Sequence, residues 1–199
     1  MDFNMGIKTE KIRYISEGVY TAFVEAVKNQ SVLGDAEVNK NVAIVYSPLN
    51  GTGLNPVLRT LKESGYTNIT VVKEQEQPDG YFPTCPYPNP EIKEAMTLGM
   101  KYARENNADL LLATDPDCDR VGVAVKDQSE EYVLLSGNEM GLLLLDYICS
   151  RRVAMNTMPK DPVLIKTMVT TDLSERIASN YGVRTVNVLT GFKFIGEQI

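Results

Sequence analysis

The chain contains no histidine among its 199 residues. Imidazole is the side chain that most readily changes charge near neutral pH, and it is the commonest metal ligand. Its absence excludes, for this chain alone, the Ser-His-Asp and Cys-His arrangements that activate a nucleophile. Any chemistry that this chain performs must therefore use other side chains.

Cysteines, cationic side chains and long apolar runs are also scarce. The cysteines Cys85, Cys118 and Cys149 are odd in number and lack metal or redox spacing, which indicates a reducing compartment, by default the cytoplasm. Lys and Arg number 20 against 26 Asp and Glu, and a net charge of −6 disfavours a general nucleic-acid surface. No apolar run approaches the roughly 18 residues of a membrane span, and none resembles a signal peptide. We therefore expect a cytoplasmic protein without nucleic-acid or membrane partners.

The most informative segment is an acidic loop, residues 115–120, with the sequence Asp-Pro-Asp-Cys-Asp-Arg. Apolar runs at 110–113 and 121–125 flank it and predict two buried strands. Alternate residues of an extended chain point the same way, so Asp115, Asp117 and Asp119 are predicted to converge on one point. Three neighbouring carboxylates favour a bound cation, and Mg²⁺ suits a site with few protein oxygens. An acidic β-turn without function is the alternative interpretation.

The acidic loop does not fit a calcium-binding EF-hand, which also begins with alternating aspartates. The sixth position holds Arg120 where glycine is needed, and the twelfth holds Lys126 where a bidentate glutamate is needed. Arg120 instead places a guanidinium beside the carboxylates. This arrangement is expected where an anion such as phosphate binds next to the metal.

The order of apolar patterns predicts an α/β fold of three-layer α/β/α units with mixed, mainly parallel sheets. One complete domain is expected at 1–129 and an incomplete second domain at 130–199. Strands are predicted at 42–46, 69–72, 109–113, 121–126, 132–135, 163–166 and 184–189. Helices are predicted at 8–30, from Asn55 to Gly65, from Asn89 to Ala103, at 137–150 as a buried helix, and from Thr171 or Asp172 to Tyr181.

Two connecting segments each allow two interpretations. The glycine turn, residues 48–53, lies between a strand and a helix and is interpreted as a tight connection, with a phosphate cradle as the weaker alternative. The proline-rich loop, residues 74–90, holds five of the ten prolines and is interpreted as structural rather than functional. The second unit does not close an α/β layer, so uncovered apolar surface and a longer parent chain are expected.

These motifs together resemble the α-D-phosphohexomutase family, the phosphoglucomutases and phosphomannomutases. Residues 115–120 resemble its metal loop, with Cys118 where the family usually has a small residue such as alanine. Further segments match in order and at about the right spacing: 48–53, 89–91, 137–139 and 190–195. The resemblance implies a four-domain parent in which 1–129 is the second domain, metal-binding, and 130–199 begins the third, sugar-recognising domain.

The resemblance also implies reversible phosphoryl transfer between O1 and O6 of glucose or mannose phosphate, through a phosphoserine and a bisphosphorylated sugar. Asp115, Asp117 and Asp119 would hold Mg²⁺, and Arg120 would contact the transferred phosphoryl group. A segment at 190–193, Thr-Gly-Phe-Lys, would place Thr190, Gly191 and Lys193 at the substrate. The lysine would stabilise the sugar phosphate or assist proton transfer. By itself, this segment is typical of a turn with a surface lysine.

Departures from the family pattern are equally informative. The family's nucleophilic serine lies in a histidine-containing motif of the first domain, which this chain lacks, together with the fourth domain. We therefore expect the isolated chain to be inactive. Asn50 replaces a histidine that is common in this branch, so the resemblance assigns its turn no role. A non-catalytic metal-binding or assembly module is the alternative, and a nucleotide-sugar transferase or aspartyl phosphatase is a weaker one.

Overall fold

The computed structural model describes residues 2–199 and has the α/β class predicted from the sequence. The strands are β1 (Ile44–Ser47), β2 (Ile69–Val71), β3 (Leu110–Thr114), β4 (Val121–Lys126), β5 (Tyr132–Leu135), β6 (Val163–Thr167) and β7 (Arg184–Val188). The helices are α1 (Phe3–Lys8), α2 (Glu17–Lys28), α3 (Leu54–Glu63), α4 (Lys93–Glu105), α5 (Gly137–Ala154), α6 (Leu173–Asn180) and α7 (Phe192–Gly196), with a 3₁₀ turn at Lys73–Gln75.

The first sheet has five strands in the order β2-β1-β3-β4-β5. Strands β2, β1 and β3 are parallel, whereas β4 and β5 are antiparallel neighbours at one side. Val45 and Leu111 point to the face that α4 covers, and Ile44 and Leu112 point to the opposite face, beside Leu61 of α3. The sheet is therefore the middle layer of a three-layer unit.

Helix α4 supplies most of the helical contribution to the core. Its buried residues recur at helical spacing, as predicted: Ala95, Met96, Gly99, Met100 and Ala103. Tyr132 from β5 donates hydrogen bonds to the carbonyl oxygens of Ala103 and Ala108, which ties the end of α4 to the sheet. Asn89 does not cap α4, because its side chain accepts from the Glu91 N–H in a turn before the helix, which begins at Lys93.

Strand β5 pairs with β4 through four residue pairs that start at Lys126 and Tyr132, so the first sheet continues past residue 129. Ser136 follows β5 directly and caps α5: its hydroxyl accepts from the Glu139 N–H while Glu139 accepts from the Ser136 N–H. A single residue, Ser136, therefore connects the first sheet to α5.

The second unit contains the parallel pair β6 and β7 with α5 and α6 packed against it. Its buried cluster is small and consists of Cys149, Ala178 and Val183. The expectation that α5 is buried is wrong: Cys149 is its one buried residue, and Leu143 and Leu144 keep 59% and 49% of their surface exposed. The helix is apolar on all sides, but this chain covers only part of it.

The predicted helix at 8–30 is also wrong in its bounds. Helix α2 begins at Glu17 because Ser16 adopts an extended conformation and its hydroxyl accepts from the Val19 N–H at 3.4 Å. Its apolar residues Val19 and Phe23 are more than half exposed, and Val24 is the one that is buried. Apolar spacing alone could not show the break before Ser16.

All seven predicted strands form, and β4 and β5 have the predicted bounds. The helix after the glycine turn begins at Leu54 with Gly53 at the cap position, so Asn55 lies inside its first turn instead of capping it. Among residues 2–199, no helix has the length and apolar character needed to cross a membrane.

Candidate metal and phosphate site

The acidic loop connects β3 to β4, at the edge of the sheet where the parallel strands β1, β2 and β3 have their carboxyl ends. The three aspartates do converge: one carboxylate oxygen from each lies within 4.8 Å of the others. The predicted cause was wrong, because the segment is a turn and not an extended chain. The Cys118 N–H donates to the Asp115 carbonyl oxygen at 3.0 Å, and Cys118 has a positive φ of 64°.

Asp115 is the buried member of the group, with no exposed surface. One carboxylate oxygen accepts from the Arg120 backbone N–H at 3.0 Å, and the other accepts from Arg120 Nε at 2.7 Å. Burial acts to raise the pKa of Asp115, but the hydrogen bonds from Arg120 outweigh it and hold the pKa below its ordinary value. Asp115 is therefore a fixed carboxylate at the base of the loop.

Arg120 uses only part of its guanidinium for this contact. Its Nε donates to Asp115 and lies 3.6 Å from Asp119, while half of the side chain is exposed. Its two terminal amino groups make no hydrogen bond within the described part of the chain. They can therefore donate to an anion bound at the loop, as the sequence predicts.

Asp117 and Asp119 are exposed. Hydrogen bonding with Asp115 and the negative charges of Asp117 and Asp115 raise the pKa of Asp119. A cation among the three carboxylates would relieve this repulsion. Two oxygens bound to one Mg²⁺ at about 2.1 Å lie about 3–4.2 Å apart, so small rotations of the two exposed side chains would complete the geometry. The donor set fits a hard divalent ion.

The glycine turn packs directly against the acidic loop. The Thr52 N–H and the Thr52 hydroxyl both donate to the Pro116 carbonyl oxygen, at 2.9 Å and 3.1 Å. A Cβ on Gly51 would lie 2.3 Å from Pro116 Cα, so only glycine permits this approach. Sequence reasoning missed this contact, which joins residues 64 positions apart.

A groove of about 420 Å³ lies beside the acidic loop. One wall comes from the proline-rich loop and the other from the acidic loop, and the lining residues are Phe82, Tyr87, Pro88, Asn89, Pro116, Asp117 and Arg120. Asn50 holds the proline-rich wall, because its side-chain amide donates to the carbonyl oxygens of Glu74 and Gln77. The proline-rich loop thus borders the candidate site in addition to packing on the core.

The second predicted group of site residues lies elsewhere. Thr190, Gly191 and Lys193 follow β7 in the second unit, and none of them lines the groove beside the acidic loop. Gly191 has a φ of 131° and precedes the short helix α7, a conformation that favours glycine. Lys193 Nζ lies 4.8 Å from the centroid of the Phe194 ring. The structure does not bring the two groups together, and the roles of these three residues stay predictions.

One buried cation escaped the sequence analysis. Lys166, at the end of β6, donates to the Thr170 carbonyl oxygen at 3.0 Å and to Asp172 at 2.9 Å, and lies 3.4 Å from Glu175. The hydrogen bond to Asp172 raises the pKa of Lys166. Lys166 also lines a cavity of about 210 Å³ with Asn138 and other residues of the second unit. The available signal was a single lysine at the end of an apolar strand.

Comparison with known families matches both units. The model described as phosphoglucomutase/phosphomannomutase, alpha/beta/alpha domain II, matches residues 21–128. The model for alpha/beta/alpha domain III of the same family matches residues 136–199. The chain therefore belongs to the phosphoglucomutase/phosphomannomutase family.

Individual relatives support this assignment. A phosphoglucomutase of Staphylococcus saprophyticus is 36% identical over 201 residues, which covers 100% of this chain and 35% of the relative. The chain thus spans about a third of the length of the curated relative. Relatives of this kind are phosphohexomutases, which are isomerases.

Solved structures share the fold at low identity. A phosphoglucomutase/phosphomannomutase family protein of Burkholderia thailandensis has a TM-score of 0.69 and 19% identity, over 90% of this chain and 35% of that one. An N-acetylphosphoglucosamine mutase of Aspergillus fumigatus, solved in complex with GlcNAc-6P and magnesium, has a TM-score of 0.59 and 18% identity, over 90% of this chain and 36% of that one.

Proposed function

We propose that this chain supplies the metal-binding and sugar-recognition parts of a phosphohexomutase, which moves a phosphoryl group between O1 and O6 of glucose or mannose phosphate. The observation that carries the proposal is the convergence of Asp115, Asp117 and Asp119 beside Arg120, in a chain of this family. The magnesium complex of the Aspergillus relative supports Mg²⁺ as the ion. When bound, Mg²⁺ would supply positive charge against the phosphoryl oxygens.

The residues of the chain have distinct tasks in this proposal. Asp115, held by Arg120, would give the site a fixed buried oxygen, and the exposed Asp117 and Asp119 would complete the ligand set. The terminal amino groups of Arg120 would bind the phosphoryl group and offset its charge. Thr190, Gly191 and Lys193 would bind the sugar phosphate, and Lys193 would stabilise its charge or assist proton transfer at the sugar oxygen.

The remaining parts of the reaction lie outside the chain in this proposal. The phosphoserine would come from a first domain and further phosphate contacts from a fourth domain of the same parent, so the isolated chain would be inactive. The histidine-free sequence and the one-third coverage of the relative support this division. We place the boundary between the two domains at Ser136, and the protein in the reducing cytoplasm, where its three thiols would stay free.

A chimera tests the proposal. The aligned third of the Staphylococcus saprophyticus phosphoglucomutase would be replaced by this chain, and glucose 1-phosphate and mannose 1-phosphate turnover would be measured with Mg²⁺. We expect activity with at least one sugar, and a loss of at least about 100-fold in kcat on changing Asp117 to Asn, because charge stabilisation by the bound metal contributes several kcal/mol.

Two outcomes would contradict the proposal. A folded chimera that turns over neither sugar phosphate would refute the mutase assignment. Full activity of the Asp117→Asn chimera would refute the role of the acidic loop. The isolated chain is the negative control, and turnover by it alone would refute the division of the reaction among several domains.

A further inference from the structure

The backbone of the acidic loop has two separate anchors. Arg120 holds the first residue, Asp115, through two hydrogen bonds to its buried carboxylate. Thr52 holds the next peptide, because its N–H and its hydroxyl both donate to the Pro116 carbonyl oxygen. This carbonyl belongs to the peptide group between Pro116 and Asp117. Its orientation therefore determines the position of the Asp117 Cα atom, from which the exposed carboxylate extends.

The anchor at Thr52 depends on close contact. Gly51 is buried, and a Cβ at this position would lie 2.6 Å from the Pro116 carbonyl oxygen as well as 2.3 Å from Pro116 Cα. Both are backbone atoms, so any larger residue would push the acidic loop away. The glycine therefore permits the approach, and the threonine makes the hydrogen bonds that fix it.

The glycine turn is itself held from its other side. Leu49 and Asn50 adopt left-handed conformations, with φ of 47° and 56°. The Asn50 N–H donates to the Gln75 carbonyl oxygen at 2.9 Å, in addition to the side-chain bonds to Glu74 and Gln77. A turn fixed on both sides cannot follow the acidic loop if that loop moves, so it acts as a stationary support.

We propose that Thr52 is a positioning residue for metal binding: through the Pro116 carbonyl oxygen it holds the Asp117 carboxylate in range of Asp115 and Asp119. The inference rests on the metal site of the proposed function. Residues that orient metal ligands without touching the ion alter metal affinity by about 10–100-fold when removed. Thr52 is exposed, so its side chain can be changed without opening a cavity in the core.

The test uses Mn²⁺ as the probe, titrated into the 199-residue chain and followed by the electron paramagnetic resonance signal of the free ion. Thr52→Val removes the hydroxyl bond, and we expect it to raise the Kd for Mn²⁺ by about tenfold. Thr52→Ser keeps a hydroxyl and is expected to restore affinity close to that of the wild type. Thr97→Val is the matched control, because the Thr97 hydroxyl bonds to Lys93 within α4, away from the acidic loop.

Thermal unfolding in EDTA separates positioning from general stability. We expect Thr52→Val and wild type to have similar Tm values without metal, and to differ only when Mn²⁺ is present. Gly51→Ala is a second variant that displaces Pro116 directly, and it is expected to weaken Mn²⁺ binding at least as much as Thr52→Val.

Equal Mn²⁺ affinity for wild type, Thr52→Val and Gly51→Ala would overturn this inference and leave the metal site of the proposed function intact. An absence of Mn²⁺ binding to the wild type at millimolar concentration would instead overturn that metal site, and the inference with it. A Thr52→Val variant that loses affinity but is not restored by Thr52→Ser would also count against the hydroxyl bond.

Discussion

At the scale of single residues, the candidate site is built on Asp115. The sequence predicts that three aspartates converge, but gives no reason to distinguish them. The structure shows that Asp115 is buried and bonded to Arg120, whereas Asp117 and Asp119 face solvent. The distinction arises from tertiary packing around the end of β3, which no local pattern encodes. Asp115 thus stabilises the loop in addition to offering an oxygen to the proposed metal site, whereas Asp117 and Asp119 can rotate toward a ligand.

Substitution of Asp115 should destabilise the fold without any metal. Asp115→Ala leaves the Arg120 backbone N–H and Nε without their acceptor, and we expect a loss of roughly 1–3 kcal/mol in the free energy of unfolding. Urea denaturation in EDTA at pH 7 measures it. Asp117→Ala is the matched control and should change stability little, because its side chain is exposed.

The difference in unfolding free energy between wild type and Asp115→Ala should depend on pH. Folding lowers the pKa of Asp115, so its ionised carboxylate adds to the free energy of unfolding. This contribution is present in full above the pKa of the unfolded chain, about 3.9, and is lost as the pH falls through the lower pKa of the folded protein. The gap between wild type and Asp115→Ala is therefore expected to narrow below about pH 4. A gap that stays constant to pH 2 would show that packing, and not the charge, explains the loss.

At the scale of elements, sequence patterns predict strands better than helix ends. Strands β4 and β5 have the predicted bounds because two short apolar runs on either side of a polar turn define them locally. Apolar spacing continues through Ile12 and Ile15, but the cap at Ser16 shortens the predicted first helix. The acidic loop could be predicted because its residues are adjacent. Its support by Thr52 could not, because the contact joins the turns that follow β1 and β3, and these two strands pair only in the folded sheet.

The proline-rich loop should depend on Asn50. Asn50→Ala removes the two bonds from the side-chain amide to Glu74 and Gln77, and we expect local destabilisation of about 1.4 kcal/mol, which corresponds to about tenfold more opening. Chymotrypsin cleavage after the exposed Tyr81 measures this change. Asn68→Ala is the control, since it removes one bond to Asn41 at the opposite end of β1. Equal cleavage of the two variants would contradict the assigned role.

At the scale of the whole molecule, the two units are joined by more than the chain. Arg151 on α5 donates hydrogen bonds to the carbonyl oxygens of Val32 and Leu33, in the segment after α2. Met155, the residue after the last turn of this helix, lies close to Gly34. These contacts connect the C-terminal half of α5 to the first unit, whereas Ser136 connects its beginning.

Loss of the Arg151 contact should uncouple the two units. Arg151→Met keeps an unbranched apolar stem but removes both hydrogen bonds. We expect a loss of roughly 1–3 kcal/mol in the free energy of unfolding and a broader or divided thermal transition. Differential scanning calorimetry measures it. Arg152→Met is the control, because among residues 2–199 the Arg152 guanidinium donates only to the carbonyl oxygen of Thr157, five positions along the chain. A single unchanged transition in Arg151→Met would show that the contact does not couple the units.

The single-residue connection at Ser136 limits where the chain can be cut into two folded parts and how far the two units can rotate against each other. With β5 ending at Leu135 and α5 starting at Gly137, there is no slack between an edge strand and a capped helix. A large rotation of α5 against the first sheet would strain the β4–β5 pairing or the capping box at Ser136, so we expect such a rotation to cost free energy. A cut at residue 129 would strip β5 from its sheet, whereas a cut after Leu135 would leave that sheet whole.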